Sequence, residues 1–331
     1  MPSPSLPFWR RPRGLRFLIQ FLFTTFCLYA GHTFYNHVAW LSGKTDQFTA
    51  KPPSVEAFLP ISALMAAKRF ILTGLWDSIH PAGLTLFLTF ILIAVAFRKG
   101  FCGYICPIGF ISSLLETLGR KLGLCRETGR IASRLMTIPK YIILGGFLWF
   151  IIIGMDVRAI ESFLSARYNM VADASMLHFF LAPSVTTIFI ITGLAAASLF
   201  IRNAWCRFLC PYGALLGLFA LFSPVALTRD KERCISCGKC SKACPSGISV
   251  ETKLRVNTPE CIGCAACEEA CPVQGCISVR LGNRRTSFMF IAVGSVALLL
   301  GIYCWALSTG RWHSEIPVDM LRRVYMMQYG S

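Results

Sequence analysis

Cys234-Ile-Ser-Cys237-Gly-Lys-Cys240-Ser-Lys-Ala-Cys244-Pro245 is followed by Cys261-Ile-Gly-Cys264-Ala-Ala-Cys267-Glu-Glu-Ala-Cys271-Pro272. Both runs have one spacing: three cysteines with two residues between neighbours, a fourth after three more, then a proline. Such a tandem specifies a small α+β ferredoxin of bacterial type holding two [4Fe–4S] clusters. Three closely spaced thiolates wrap one cube, and the fourth reaches across to the other. The expected ligands are Cys234, Cys237, Cys240 and Cys271 for one cluster, and Cys261, Cys264, Cys267 and Cys244 for the second. Gly238, Gly263, Ala265 and Ala266 are small enough to let backbone N–H groups approach the sulfides, which tunes potential. Zinc asks only for four ligands per site, without the triple spacing or the proline, so paired zinc sites fit less well. Cys276, five residues after the last ligand, has no partner at ligand spacing and reads as a small buried cysteine. Cys27 and Cys304 lie inside apolar stretches and Cys125 stands alone, none with a motif.

Outside this segment the chain is built for lipid. Of its 331 residues 55% are hydrophobic and 15% charged, against about a quarter charged in soluble domains. Apolar stretches run over Phe17–Ala30, Gly83–Phe97, Tyr141–Met155, Phe179–Ile201 and Phe288–Leu307. The first three are shorter than the ~20 residues of a spanning helix, so their flanks are expected to extend them. A single short run of this kind is also what a buried soluble helix looks like; five with one charge pattern are not. No small-x-small site follows Gly31, so the first stretch reads as an uncleaved span. With the N-terminus inside, segments 1–16, 98–140 and 202–285 carry 24 Lys and Arg, and the outside segments 31–78, 156–178 and 308–331 carry 9. Acidic residues divide evenly, so the net charge of +17 reports orientation in a bacterial inner membrane rather than affinity for nucleic acid. The C-terminus and all five histidines (His32, His37, His80, His178 and His313) then fall outside, and the ferredoxin in the cytoplasm.

Two further cytoplasmic junctions repeat. Arg98-Lys-Gly-Phe-Cys102-Gly-Tyr-Ile-Cys106-Pro107-Ile-Gly109 and Arg202-Asn-Ala-Trp-Cys206-Arg-Phe-Leu-Cys210-Pro211-Tyr-Gly213 align at an offset of 104 residues. Each ends an apolar span and precedes another apolar segment, Phe110–Leu118 or Ala214–Phe222, which suggests a duplicated hairpin of parallel orientation. The expected division is a membrane domain over 1–228 with two hairpins ending in Cys-x3-Cys-Pro, a ferredoxin domain over 229–284, and a fifth span with a short outer tail over 285–331. Cysteines four apart share one helix face, and the proline favours a break or a new helix start. If the hairpins pack together, Cys102, Cys106, Cys206 and Cys210 converge at the inner membrane face. They then form a third iron–sulfur or copper centre, a pair of redox dithiols, or simple packing cysteines.

On the outer side, Glu56 and His80, the latter ahead of Pro81, are candidates for accepting protons from a quinol, with haem ligation by paired histidines as the rival. The segment from Ser54 to Trp76 is too apolar for an exposed loop and is expected to lie in the interface or dip into the membrane. The C-terminal residues from Arg311 carry no clear signal. There is no Cys-x-x-Cys-His haem motif, dinucleotide fingerprint or phosphate loop.

Duplicated Cys-x3-Cys-Pro ahead of a double ferredoxin run resembles the NapH, NosR and CcoG group of polyferredoxin membrane proteins. Pro52-Pro53-Ser-Val-Glu56-Ala-Phe-Leu-Pro60-Ile and His80-Pro81-Ala-Gly resemble its YccM-like, 4Fe–4S-binding members. The resemblance runs from the first span to Arg280. It implies electron transfer between quinol and a respiratory or reductase partner, in the manner of a quinol dehydrogenase subunit. Its alternative is reduction or handover of a metal such as copper during enzyme maturation. The chain lacks the flavin-bearing outer domain of NosR and the long outer C-terminal domain of CcoG, and adds a span to the NapH pattern. A blander third reading is a membrane anchor that docks a soluble reductase.

Overall fold

The computed structural model describes residues 7, 11–126 and 129–329. Three helices in it are long and apolar enough to cross a membrane: Pro12–Leu41, Ile131–Gly154 and Met289–Ser308. The helices Ala172–Leu181 and Val185–Phe200 meet the same test only together, bent by 78°. The stretch expected as one straight span from Phe179 to Ile201 is therefore broken, and the sequence at the break gives the reason. Pro183 has no N–H and drives the residue before it out of the helical region; Ala182 sits at φ −127° and ψ 65°. The stretch Gly83–Phe97 lies in a helix of 17 residues, Pro81–Phe97, short of a full crossing by length. These helices turn large apolar side chains outward, with Leu28 71% and Phe189 75% exposed. Such faces are costly in water and at home in hydrocarbon.

The chain divides into two compact units, each drawn from three stretches. One comprises Met1–Thr24, Phe90–Leu144 and Ile191–Leu299; the other comprises Thr25–Thr89, Gly145–Ile190 and Leu300–Ser331. The first contains every cysteine of the expected sites and the second all five histidines.

In the first unit a four-stranded antiparallel sheet is ordered β2-β1-β3-β4, with β1 Val225–Arg229, β2 Arg255–Val256, β3 Ile277–Leu281 and β4 Arg284–Thr286. Val225 pairs with Leu281 and Arg229 with Ile277. The inward face buries Val225, Leu227 and Val279. The sheet thus begins before residue 229 and ends after residue 284. Between its strands lie two one-turn helices, Lys239–Lys242 and Ala266–Glu269, one in each cysteine run.

The second unit replaces the expected outer loop by ordered structure. The first helix continues to Leu41, and a 3-10 turn Pro53–Phe58 leads into the helix Pro60–Thr73. Lys68 Nζ on that helix donates to the carbonyls of Ile151 (3.1 Å) and Ile152 (2.8 Å). A cation there satisfies carbonyls that a helix end leaves without partners. The C-terminal tail forms the helix Val318–Tyr329, whose Tyr325 is buried with Leu41, Val171 and Ala174. Arg311 lies over the rings of Trp76 (4.7 Å) and Trp305 (5.0 Å).

Candidate functional site

The two cysteine runs fold around two small cavities. One is lined by Cys234, Cys237, Cys240 and Cys271, together with Cys276 and Arg229. The other is lined by Cys244, Cys261, Cys264 and Cys267. The fourth cysteine of each run has crossed to the other run's cavity. Residues in the left-handed region shape both loops: Ser236 (φ 53°), Gly238 (φ 69°), Gly263 (φ 67°) and Ala265 (φ 53°). These turns direct main-chain donors at sulfur, from Ser236 to Cys234 and from Ala266 to Cys264, and Ile248 N–H reaches Cys244 Sγ at 3.4 Å. Soft sulfur donors in fours, with amides aimed at them, suit an iron–sulfur cube. A single tetrahedral ion would hold its sulfurs about 3.8 Å apart, given a metal–sulfur bond near 2.3 Å. Among the described residues no three His, Cys, Asp or Glu side chains gather to hold one ion.

The cavities differ in setting. All four cysteines of the second are buried, and burial, helped by Cys264, pushes the Cys244 thiol up to about 12. The first opens outward: Cys237 is exposed, and the Ser236 amide and Arg229 hold Cys234 below the ordinary thiol value. Cys276 is buried against Cys271 and Cys234.

Both junctions adopt the same local form. Each has a π turn (Phe101–Ile105 and Trp205–Leu209), and its second cysteine is the N-cap of the following helix, Pro107–Lys121 or Pro211–Phe219. Proline suits the first helical position because its missing N–H would have no partner there. At the second junction the glycine two residues on donates its N–H to the capping sulfur, Gly213 to Cys210 at 3.2 Å, whereas the Cys106 side chain makes no such capping bond. The four thiols also converge: Cys106 interacts electrostatically with Cys102, Cys206 and Cys210, and Cys206 with Cys210 and Cys102. Burial pushes Cys102 up to about 11 and Cys206 up to about 12, while the buried Lys99 opposes this. A bound metal would reverse such shifts by replacing the protons.

A seam joins the junctions to the ferredoxin. Gly103 lies so close to the Cys261–Cys264 loop that a Cβ on it would stand 2.5 Å from the Ile262 carbonyl oxygen. Tyr104 Oη donates to the Gly263 carbonyl (3.2 Å), and Arg16 Nε to that of Gly103 (3.0 Å). Arg98, fully buried at φ 59°, donates to Asn257 Oδ1 (2.7 Å) and to the Thr258 carbonyl (2.9 Å). Glu260, beside Cys261, accepts from Lys140 Nζ (2.6 Å) and Tyr141 Oη (2.9 Å). At the other junction Asn203, at φ 47°, donates to Glu116 Oε2 (2.6 Å) and to the Pro245 carbonyl (3.3 Å). Most of these contacts land beside the cysteines of the second cavity. Sequence reasoning missed Arg16, Tyr104, Glu116, Lys140, Tyr141 and Glu260, although a charge entering an apolar stretch at Lys140 was a signal.

In the second unit Glu56 and His80 do come together, inside a buried network. Glu56 accepts from Gly83 N–H (3.0 Å) and Lys51 Nζ (2.8 Å) and faces His80 Nδ1 at 3.3 Å. Lys51 also pairs with Asp173 (2.7 Å), which accepts from Tyr325 Oη (2.8 Å). His80 Nε2 meets the Asn169 carbonyl at 2.7 Å. Its Nδ1 faces the Glu56 carboxylate without a hydrogen bond of good geometry. His37 meets the Thr49 carbonyl at 2.6 Å, and His32 meets Asn36 one turn on at 3.4 Å. Lys51, Asn169, Asp173 and Tyr325 carry no motif and were not foreseen.

The ferredoxin segment matches a 4Fe-4S dicluster domain over residues 226–272, and a 4Fe-4S binding domain matches twice, over 79–125 and 182–229. The chain is 37% identical over 330 residues to YccM of Escherichia coli (strain K12), whose name gives it a provisional role in electron transport; 96% of this chain and 91% of that one are covered. It is 27% identical to the ferredoxin-type protein NapH of Haemophilus influenzae, over 59% of this chain and 64% of the relative. It is 26% identical to the methylamine utilization ferredoxin-type protein MauN of Paracoccus denitrificans, over 51% and 56%. No solved structure matches.

Two expectations follow. Gly103→Ala forces the Ile262 carbonyl aside, at a cost of about 1–3 kcal/mol typical of overpacking; thermal unfolding should fall, and EPR should change for a centre in the second cavity and not the first. For the Glu56 network, burial disfavours the charged His80 ring, but the adjoining Glu56 carboxylate overcomes this and raises its pKa. A raised folded pKa gives stability that is complete below about 6.5 and is lost as pH rises through the folded value. Hydrogen exchange in Pro60–Thr73 should therefore quicken on passing to alkaline pH. Glu56→Gln should flatten that dependence and cost about 3–5 kcal/mol, the range for breaking a buried pair.

Proposed function

The chain belongs to the YccM/NapH-like family of polyferredoxin membrane proteins with 4Fe-4S binding domains, and we propose that it carries electrons between the quinone pool and a redox partner at the cytoplasmic face. The observation that carries this reading is the seam, where Gly103 and Tyr104, next to Cys102, press on Ile262 and Gly263 between two cluster cysteines. A free ferredoxin needs no such attachment; a relay out of a membrane does.

In this reading Cys244, Cys261, Cys264 and Cys267 hold the cluster nearer the membrane junction, and Cys234, Cys237, Cys240 and Cys271 hold the outer one. The clusters supply one-electron transfer when bound. The chain keeps the first of these sets dry, which limits reorganisation of water around a changing charge, and leaves the other open to a partner. Among the exposed residues of the run that forms the open cavity, Lys231, Arg233 and Lys239 outnumber Glu232, and such a basic excess favours an acidic partner surface.

Cys102, Cys106, Cys206 and Cys210 are proposed to hold a third centre. Four soft thiolates would suit either an iron–sulfur cluster or copper. Glu56 and His80 are proposed to take up protons at the quinol end, supported by their burial with Lys51 and Asp173 in one hydrogen-bonded network.

Iron and sulfide content with redox-titrated EPR tests the reading on the whole protein. About eight iron atoms are expected in the two ferredoxin clusters, with further iron that disappears in Cys102→Ser/Cys206→Ser. Identical iron and spectra in that variant would remove the third centre. Copper in place of the further iron would favour the metal-handover reading.

A further inference from the structure

The first cavity holds one thiol more than a cube can use. Four iron corners take four cysteines, yet Cys234, Cys237, Cys240, Cys271 and Cys276 all line it. Cys276 is 2% exposed. Its sulfur shares that cavity with those of Cys271 and Cys234. Its remaining contact is a long one, 3.6 Å to the Asp230 carbonyl. A residue needed only for volume would be served by alanine or valine, and would have no reason to aim sulfur at two cluster cysteines.

The backbone holds this thiol independently of Cys271. Cys276 accepts from Asp230 N–H through its carbonyl (2.7 Å) and donates its own N–H to Val273 (3.2 Å), immediately before β3 begins at Ile277. Cys271 lies on the other side of the turn that passes through Gly275 at φ 71°.

We propose that Cys276 is a reserve ligand of the outer cluster, able to take the iron corner that Cys271 holds. This rests on the reading that Cys234, Cys237, Cys240 and Cys271 bind that cluster. In the exchange the Cys271 sulfur–iron bond breaks, the Cys276 thiol releases its proton to solvent, and a Cys276 sulfur–iron bond forms. No electron is gained or lost. The exchange would let the more open cluster survive damage to Cys271.

The test compares Cys276→Ala, Cys271→Ala and the double variant as full-length protein, by iron and sulfide content and redox-titrated EPR. Alanine offers no oxygen to stand in as ligand, and signals from the second cavity report folding in the same sample. Cys276→Ala should retain the wild-type iron content. Cys271→Ala should keep that content with a shifted outer-cluster signal and potential. The double variant should lose about four irons and keep the second-cavity signal. Loss of the same irons in Cys271→Ala alone overturns the proposal. Full iron and unshifted spectra in both Cys271 variants would show that Cys271 is not a ligand, which removes the underlying assignment and the proposal with it.

Discussion

The approach of the Gly103 main chain to the Ile262 carbonyl is the constraint on which the rest of the first unit depends. It leaves no room for a side chain, so it fixes how the Cys102 junction meets the Cys261–Cys264 loop. Other features are consistent with that contact being imposed. Arg98 and Asn203 accept left-handed backbone (φ 59° and 47°) just ahead of the two π turns, a conformation unfavourable for residues other than glycine and tolerated best by Asn and Asp. Each is held there by side-chain bonds to residues of the ferredoxin segment. Glu260 meets Lys140 and Tyr141, and the buried Lys140 ammonium is acceptable only because it is paired and hydrogen-bonded.

The seam also makes the two cavities unequal. Cysteines of the second are buried beneath it, whereas Cys237 of the first is exposed. Clusters of one type differ in potential through solvent access and hydrogen bonds to sulfur, so clusters bound in such unequal surroundings would differ in potential. The outer network in the second unit is of another kind. Lys51 offsets the charges of Glu56 and Asp173, and its pair with Asp173 ties distant segments together, as Tyr325 does for the C-terminal helix.

The ferredoxin was legible in the sequence because iron ligation fixes spacing along the chain: Cys234 to Cys271 carry their pattern without reference to anything distant. The repeat at Cys102 and Cys206 was legible for a similar reason, since the capping cysteine, the proline at the helix start and the glycine after it all lie within one turn. The seam was not. Tyr104, Glu116 and Lys140 act on partners far along the chain, and no local spacing encodes that. Membrane helices were read in part, because hydropathy reports composition and not continuity; Pro183 breaks one expected span into a bent pair. Cys276 was read as a packing residue because it lacks ligand spacing, and only folding brings it to the cavity of Cys234 and Cys271.

The central claim is that the junction thiols adjoin the second cavity and not the first. Electron spin relaxation measures this most directly, because magnetic coupling between two centres weakens steeply with their separation. In the fully reduced protein the second-cavity cluster should relax faster than it does in Cys102→Ser/Cys206→Ser, with a smaller change in the first-cavity cluster. A larger response from the first-cavity cluster, or none from either, would contradict the account.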